Sequence, residues 1–430
     1  MYMNTLPYKK IYFIGIGGIG MSALARYFHF HKVQVAGSDL GLSDICIALQ
    51  KEGMTVYGSQ NADNIPEDVD CIVYTLAIPQ TNPELIEAKK RGVPMFTYAE
   101  MLGKISENSF TVAVAGTHGK TTTTGMIAST LKAAGKNPNV IVGSLLVEGR
   151  SNFVSGTDNM FVVEACEYKR SFLNLHPNIV VITNIEEDHL DYYRDLADIQ
   201  SAFIELCQKL PTDGKIICDT SAPNLAPIVA AFPDKVVNYA DFLKQVPGLR
   251  AFGAHNIKNG AATLAVAHAL SLDMVRASEG LANFRGSWRR LEFKKKLAGG
   301  AMLYDDYGHH PTEILVTLDA LHGKFTDKKI FVVFQPHLYS RTKSFFNEFA
   351  EVFAQKTDHV IMMPIYAARE IDDGSITSAM LVDKINSDGG RAENLLNTNY
   401  LIEKVAHLDD SWIVLLLGAG DAFLLADVLR

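Results

Sequence analysis

The chain has 430 residues, too many for one ordinary hydrophobic core, so two or three domains are expected. Hydrophobic residues make up 48% and charged residues 20%, the balance of a folded globular protein rather than a disordered one. Forty basic against 48 acidic side chains leave a formal charge of −8 with no block of like charge, which argues against a nucleic-acid binder or a protein held on an anionic membrane.

The N-terminus, Met-Tyr-Met-Asn-Thr-Leu-Pro-Tyr-Lys-Lys, runs into a glycine-rich strand-turn and not into an apolar segment with a cleavage site, so no leader is expected. A β-type run follows, Ile11-Tyr12-Phe13-Ile14, then the turn Gly15 to Gly20, then a helical stretch from Met21. Gly15-Ile16-Gly17-Gly18-Ile19-Gly20 satisfies G-x-G-x-x-G, and Asp39 stands about twenty residues on, after Val33-Gln34-Val35-Ala36. Such a turn lets a diphosphate approach the backbone and sit on a helix N-terminus. A nicotinamide dinucleotide, another diphosphate ligand such as a UDP-sugar, and a purely structural turn all remain open at this point.

Phe96 to Asn108 reads as a helical connector. Beyond it, Thr111-Val112-Ala113-Val114-Ala115 leads into Gly116-Thr117-His118-Gly119-Lys120-Thr121 and a helix to Ala134. This second turn ends in the G-K-T of a phosphate-binding loop, although Val114 stands where the longer form of the motif has glycine. Its chemistry is backbone N–H groups around phosphate oxygens, a lysine charge toward the outer phosphates, and a threonine hydroxyl for Mg²⁺. Candidate metal ligands follow at strand ends. Glu164 closes Phe161-Val162-Val163, with Glu167 close behind, and His189 lies in Asn184-Ile185-Glu186-Glu187-Asp188-His189-Leu190-Asp191 after the run Ile179 to Ile182.

Gly299-Gly300, after Lys294-Lys295-Lys296, suggests a second boundary. The expected domains are 1–106, 107–297 and 298–430. A third strand-turn-helix unit comprises Met302-Leu303-Tyr304-Asp305, a polar turn with Pro311, and Glu313 to Leu321. With further apolar runs at Lys329 to Phe334 and Trp412 to Leu417, the pattern is α/β with mostly parallel sheets. The five cysteines are scattered and never in C-x-x-C spacing, which fits a reducing compartment. The longest apolar runs, such as Ile413 to Leu417, are far too short to span a bilayer, so a cytoplasmic address is expected.

Eight ordered segments resemble the Mur ligases, amide-forming enzymes of peptidoglycan precursor assembly. They are Gly15 to Ser22, Gly116 to Thr123, Asn184 to Asp191, His255 to Asn259, Gly286 to Arg290, Asp305 to Pro311, Phe334 to Thr342 and Leu417 to Asp421. The pattern is most similar to the alanine-adding branch. The resemblance implies a Rossmann-like N-terminal domain for a UDP-sugar, a central P-loop ATPase domain and a Rossmann-like C-terminal domain. It implies that Gly15, Gly17, Gly18, Gly20, Met21, Ser22, Asp39 and Thr75 meet the UDP-sugar. Gly116, Thr117, His118, Gly119, Lys120, Thr121 and Thr122 would hold the ATP phosphates, with Asn256 and Asn259 at adenine and Arg290 and Asp306 at the nucleotide. Thr121, Glu164 and His189 would ligate Mg²⁺. Lys120, Glu164, His189, His309 and Arg341 would be catalytic, the last two at the muramyl carboxylate and the amino acid.

The implied substrates are UDP-N-acetylmuramate, L-alanine and ATP, with Mg²⁺ as cofactor, in a monomer or homodimer that closes on its ligands. The implied reaction passes through an acyl phosphate, with the base that deprotonates the amine left open between His189 and His309. Three departures stand out. Glu164-Ala165-Cys166-Glu167-Tyr168-Lys169 replaces a more acidic run, Leu338 stands where many members carry arginine, and Leu76 replaces a small hydroxyl residue. Ile199 to Leu206 holds no lysine, as in the alanine-adding branch. Competing readings are a ligase that recycles an intact tripeptide, an NAD(P)-dependent oxidoreductase built on the first glycine turn, and a nucleotide-binding module without turnover.

Overall fold

The computed structural model describes residues 7–147, 150–368 and 370–430. The segment 1–6, part of the N-terminal stretch read as carrying no leader, lies outside the described residues. Three sheets follow one another along the chain. The first holds β1 (Lys10–Ile14), β2 (Gln34–Ser38), β3 (Thr55–Tyr57), β4 (Cys71–Tyr74) and β5 (Met95–Thr97), in the order β3-β2-β1-β4-β5 and parallel throughout. The second holds β6 (Phe110–Ala115), β7 (Asn139–Ile141), β8 (Phe153–Val154), β9 (Met160–Glu164), β10 (Ile179–Ile182), β11 (Lys215–Cys218) and β12 (Val236–Asn238), in the order β12-β11-β10-β6-β9-β7-β8. Only its edge strand β8 runs antiparallel.

The third sheet holds β13 (Glu292–Lys296), β14 (Met302–Asp306), β15 (Lys329–Phe334), β16 (His359–Met362), β17 (Ala392–Asn394) and β18 (Trp412–Leu417), in the order β13-β14-β18-β15-β16-β17. Here β13 alone is antiparallel, and it pairs with β14 although it precedes residue 297. Continuous apolar runs such as Ile179–Ile182 and Trp412–Leu417 form interior strands because helices cover both faces of a parallel sheet. The α/β architecture read from the repeated strand-turn-helix pattern is the one observed.

By compactness the chain forms two units. One comprises residues 1–250 and 258–285 and contains the first two sheets, and the other comprises 251–257 and 286–430 and contains the third. The connector read as helical throughout begins instead as β5, which closes the edge of the first sheet beside β4. Its helix, Tyr98–Glu107, starts with a capping box in which Thr97 accepts from the Glu100 amide and Glu100 accepts from the Thr97 amide.

Within the first unit, one buried amide ties the helix after the first glycine turn to the second sheet. Asn152, fully buried, donates to the Ile19 carbonyl at 2.6 Å and to the Ser22 hydroxyl at 2.9 Å, and accepts from Arg26 at 2.6 Å. The Arg26 guanidinium also holds Glu52 through two nitrogens. Substituting Asn152→Ala strands these groups without water, so urea unfolding should read a loss of about 2–4 kcal/mol. A loss below about 0.5 kcal/mol would mean the amide contributes nothing to joining the two layers.

Candidate functional site

The first glycine turn is held from below. The amides of Gly15 and Ile16 both donate to the Ser38 carbonyl, at 2.8 and 3.0 Å, and the Gly17 amide donates to Asp39 Oδ2 at 2.7 Å. Gly15 has φ +84°, and a Cβ there would stand 2.6 Å from Thr75 Cγ2, so the turn needs glycine and packs on Thr75. A Cβ on Gly17 would meet both Asp39 Oδ2 and Cys46 Sγ at 2.7 Å. The helix Ile19–Phe30 then starts at Gly18 without any side-chain cap, leaving its first N–H groups for a ligand. Gly15, Gly17, Gly18, Gly20, Asp39 and Thr75 therefore share the carboxyl edge of the first sheet. Met21 and Ser22 are different: both are buried, and the Ser22 hydroxyl is taken up by Ile19 and Asn152. Leu76 is 64% exposed, so its departure from a small hydroxyl residue adds an apolar surface beside Thr75.

The second turn is laced to the segment after β10. Amides of Thr117 and His118 donate to the carbonyl and side chain of Asn184, and Thr183 and Asn184 donate back to the His118 carbonyl. The Thr117 hydroxyl accepts from the Glu186 amide at 2.8 Å. Gly116 (φ +130°) and Gly119 (φ +82°) supply the backbone conformations that let the loop curl. The helix Lys120–Ala133 follows with no side-chain cap on its first amides, and Thr121 and Thr122 lie buried in its first turn. Lys120 Nζ donates to both oxygens of Glu167 at 3.0 Å and to the carbonyl of Thr117 at 3.1 Å. Burial lowers the lysine's pKa, but the negative groups around it, Glu167 foremost, outweigh that and raise it, so the ammonium stays charged.

Glu167, whose place in the altered turn the sequence left unclear, is thus the counter-ion of the loop lysine. Its side chain is 4% exposed and lies 3.8 Å from His189 Nε2. Glu164 accepts from the Thr121 hydroxyl at 3.1 Å and from the Gly143 amide at 2.6 Å. His189 has φ +54°, packs its ring 4.7 Å from that of Tyr168, and its amide donates to Asp188. Lys169 and Arg170 also lie in the left-handed region, at φ +52° and +54°, a concentration of strain of the kind found at functional turns. The Thr121 hydroxyl and the Glu164 carboxylate meet at this sheet edge, oxygen donors of the type a hard divalent cation takes, whereas the His189 imidazole has its carboxylate neighbours in Glu167 and Asp188.

Asn259 reaches the same loop: a Cβ on Gly119 would stand 2.8 Å from its Oδ1. Asn256 belongs to the second unit, where its Nδ2 donates to the Phe252 carbonyl at 2.9 Å. Beside it, His255 is pushed down to about 4 by burial and by the positive charge of Arg290, and its Nδ1 is buried with no hydrogen-bond partner among the described residues.

In the second unit, Arg289 is the largest fully buried side chain. It pairs with Asp305 at 3.1 Å, donates to the carbonyls of Gly418 and Gly420, and lies over the Phe423 ring at 4.4 Å. It joins three segments of the family resemblance, a role that sequence spacing does not show. Burial pushes the Asp305 carboxyl up to about 6 even with the guanidinium beside it. Arg290 pairs with Glu313 at 3.4 Å and lies over Tyr307. Asp306 is 5% exposed, and its oxygens accept from the amides of Leu291 and Gly308 and the hydroxyl of Thr317, so it fixes loops. His309 Nδ1 is 3.0 Å from the Tyr307 carbonyl, and its ring is 5.5 Å from that of His337. His337 stacks on Tyr366 and lies 3.2 Å from Arg341 Nη1. Leu338 is buried with φ +70°, so the leucine that stands in place of arginine packs inward at a strained turn.

Two glycine turns at sheet edges, each opening an uncapped helix N-terminus, and an acid-paired loop lysine are the features of a nucleotide-using enzyme of α/β fold. Residues 10–110 match the family profile described as Mur ligase family, catalytic domain, residues 114–246 the Mur ligase middle domain, and residues 289–420 the Mur ligase, glutamate ligase domain. The chain belongs to the Mur ligase family. It is 37% identical to UDP-N-acetylmuramate–L-alanine ligase of Clostridium kluyveri over 98% of each chain, and 39% identical to the enzyme of the same name from Agathobacter rectalis over 91% of each. Among solved structures it is similar to UDP-N-acetylmuramate-alanine ligase MurC of Thermotoga maritima, with TM-score 0.79, 27% identity and 97% of each chain covered.

The depressed His255 gives a pH prediction. Its folded pKa of about 4 lies below the ordinary 6.5, so the folded state binds fewer protons between these values. The stability it confers is complete above pH 6.5 and is lost as pH falls toward 4. Its ring NMR signals should therefore hold their neutral positions from pH 8 to pH 5. A midpoint near the ordinary histidine value would contradict the burial account.

Proposed function

We propose that this protein is an ATP-dependent ligase that joins L-alanine to the lactyl carboxylate of UDP-N-acetylmuramate, a step in peptidoglycan precursor synthesis. The observation that carries the reading is the pairing of two separate phosphate-type turns in one chain, the first on Asp39 and the second around Lys120. An oxidoreductase would use only the first turn and would leave Lys120, Glu164 and Asn259 without a task. The near full-length similarity to alanine-adding relatives supports the choice of amino acid.

In this reading Gly15, Gly17, Gly18 and Gly20 hold the UDP diphosphate with Asp39 and Thr75 alongside. Gly116 to Thr122 take the ATP phosphates, Asn256 and Asn259 the adenine, and Arg290 the nucleotide. Asp306 acts through the amides of Leu291 and Gly308, which it fixes. Thr121, Glu164 and His189 would hold Mg²⁺, which when bound neutralises the charge of the phosphates.

A carboxylate is a poor electrophile, and phosphorylation gives it a leaving group. The lactyl carboxylate attacks the γ-phosphate, forming an acyl phosphate and releasing ADP. The amine of alanine then attacks the acyl carbon, and inorganic phosphate departs. Neither step needs a protein nucleophile, so Lys120 contributes charge and position. His309 and Arg341 take the amino-acid end of the reaction, with His337 beside Arg341 as its neighbour. The cytoplasmic setting of the reaction is supported by five free thiols. Among the described residues no helix is long and apolar enough to cross a membrane.

Phosphate release measured with UDP-N-acetylmuramate, ATP and Mg²⁺ should depend on alanine, with glycine and serine weaker and intact tripeptide inactive. Lys120→Ala should lower that rate by at least ~100-fold, the scale of losing a preorganised charge at a transferring phosphoryl group. Release that requires tripeptide would favour the recycling ligase, and an unchanged rate in the lysine variant would sink the ligase reading.

A further inference from the structure

Beneath the first glycine turn lies a buried carboxyl that phosphate chemistry does not call for. Glu84, in the helix Pro83–Arg91, is 0% exposed. Its Oε1 accepts from the Tyr12 hydroxyl at 2.8 Å, the Asn61 amide at 3.1 Å and Asn64 Nδ2 at 3.1 Å. Its Oε2 accepts from the Ser38 hydroxyl at 2.5 Å. All four partners are neutral donors. A carboxyl taken out of water among neutral donors is costly, and its place in a core needs a purpose beyond packing.

That purpose is visible one bond further on. Ser38, itself fully buried, is the last residue of β2, and its carbonyl is the acceptor for the Gly15 and Ile16 amides. The next residue, Asp39, takes the Gly17 amide. Glu84 thus grips Ser38 by its side chain while Ser38 grips the glycine turn by its backbone. Tyr12, on the neighbouring strand β1, fixes the carboxyl from the other side. The helix carrying Glu84 is itself anchored, because Asn82 caps it by accepting from the Glu84 and Leu85 amides.

We propose that Glu84 is a positioning residue for the UDP-sugar: through Ser38 it sets the height and tilt of the Gly15–Gly20 turn on which the diphosphate rests. This inference rests on the UDP-sugar reading of that turn. It assigns no contact between Glu84 and the ligand. The two oxygens also predict which substitution is tolerated. In Glu84→Gln the retained Oε1 still serves Tyr12, Asn61 and Asn64, and the amide nitrogen faces Ser38, whose hydroxyl can turn to accept. Glu84→Ala leaves four donors unmet, and Ser38→Ala removes only the link to the turn.

The test is calorimetric titration of UDP-N-acetylmuramate into the full chain and its three variants, with the KM for ATP measured in parallel. The wild type should bind saturably. Ser38→Ala and Glu84→Ala should weaken the UDP-sugar roughly fivefold or more, with the KM for ATP within about twofold, and Glu84→Gln should recover most of the affinity. Should Glu84→Ala fail to fold, Ser38→Ala carries the same comparison. UDP-sugar affinity unchanged in Ser38→Ala, or an equal loss for UDP-sugar and ATP, overturns the positioning role. A wild type that does not bind UDP-N-acetylmuramate overturns the reading of the turn itself, and the positioning role with it.

Discussion

The buried pair between Lys120 and Glu167 is the interaction on which the rest of the central site depends. A lysine ammonium with this little water around it stays charged only beside a counter-ion, and Glu167 supplies one through both oxygens. The pair links the end of β6 to the turn after β9, and the carboxylate's approach to His189 extends the link to the turn after β10. Three strand ends of one parallel sheet are thereby brought to a common edge, where helix N-termini and backbone amides also gather.

The same logic recurs at the other sheet edges with different chemistry. At the first sheet a hydrogen-bond chain, Glu84 to Ser38 to the Gly15 amide, sets the turn without a cation among its members. At the third sheet a guanidinium is used: Arg289 is sunk among Asp305, two carbonyls and the Phe423 ring, and it fixes the loops that carry Arg290, Tyr307 and Gly418. In each case a buried polar group spends desolvation energy to specify one loop geometry.

Much of this was legible in the sequence, for reasons that can be named. Strand-turn-helix punctuation is local, so the three α/β units, the two glycine turns and Asp39 could be read directly. The partners of those turns could not. Glu84, Asn152 and Glu167 are separated from Ser38, Ile19 and Lys120 by 46, 133 and 47 residues, and nothing in their local pattern announces the pairing. Met95–Thr97 was hidden because three residues carry too little periodicity to separate an edge strand from the helix that follows. Asp306 stands in a segment that resembles a nucleotide contact, and the bonds its oxygens accept from Leu291, Gly308 and Thr317 are visible only in three dimensions. Leu338 stands where the resemblance has arginine, and its burial at positive φ could not be inferred from a leucine, which disfavours that conformation.

In the proposed reaction a carboxylate is activated by phosphorylation beside Lys120 before an amine attacks it. Isotope transfer tests this most directly. With UDP-N-acetylmuramate labelled by ¹⁸O in its lactyl carboxylate, one turnover with ATP and alanine should deliver one labelled oxygen into the released inorganic phosphate, and ADP should be the nucleotide product. Unlabelled phosphate, or label appearing in AMP, would contradict an acyl-phosphate route.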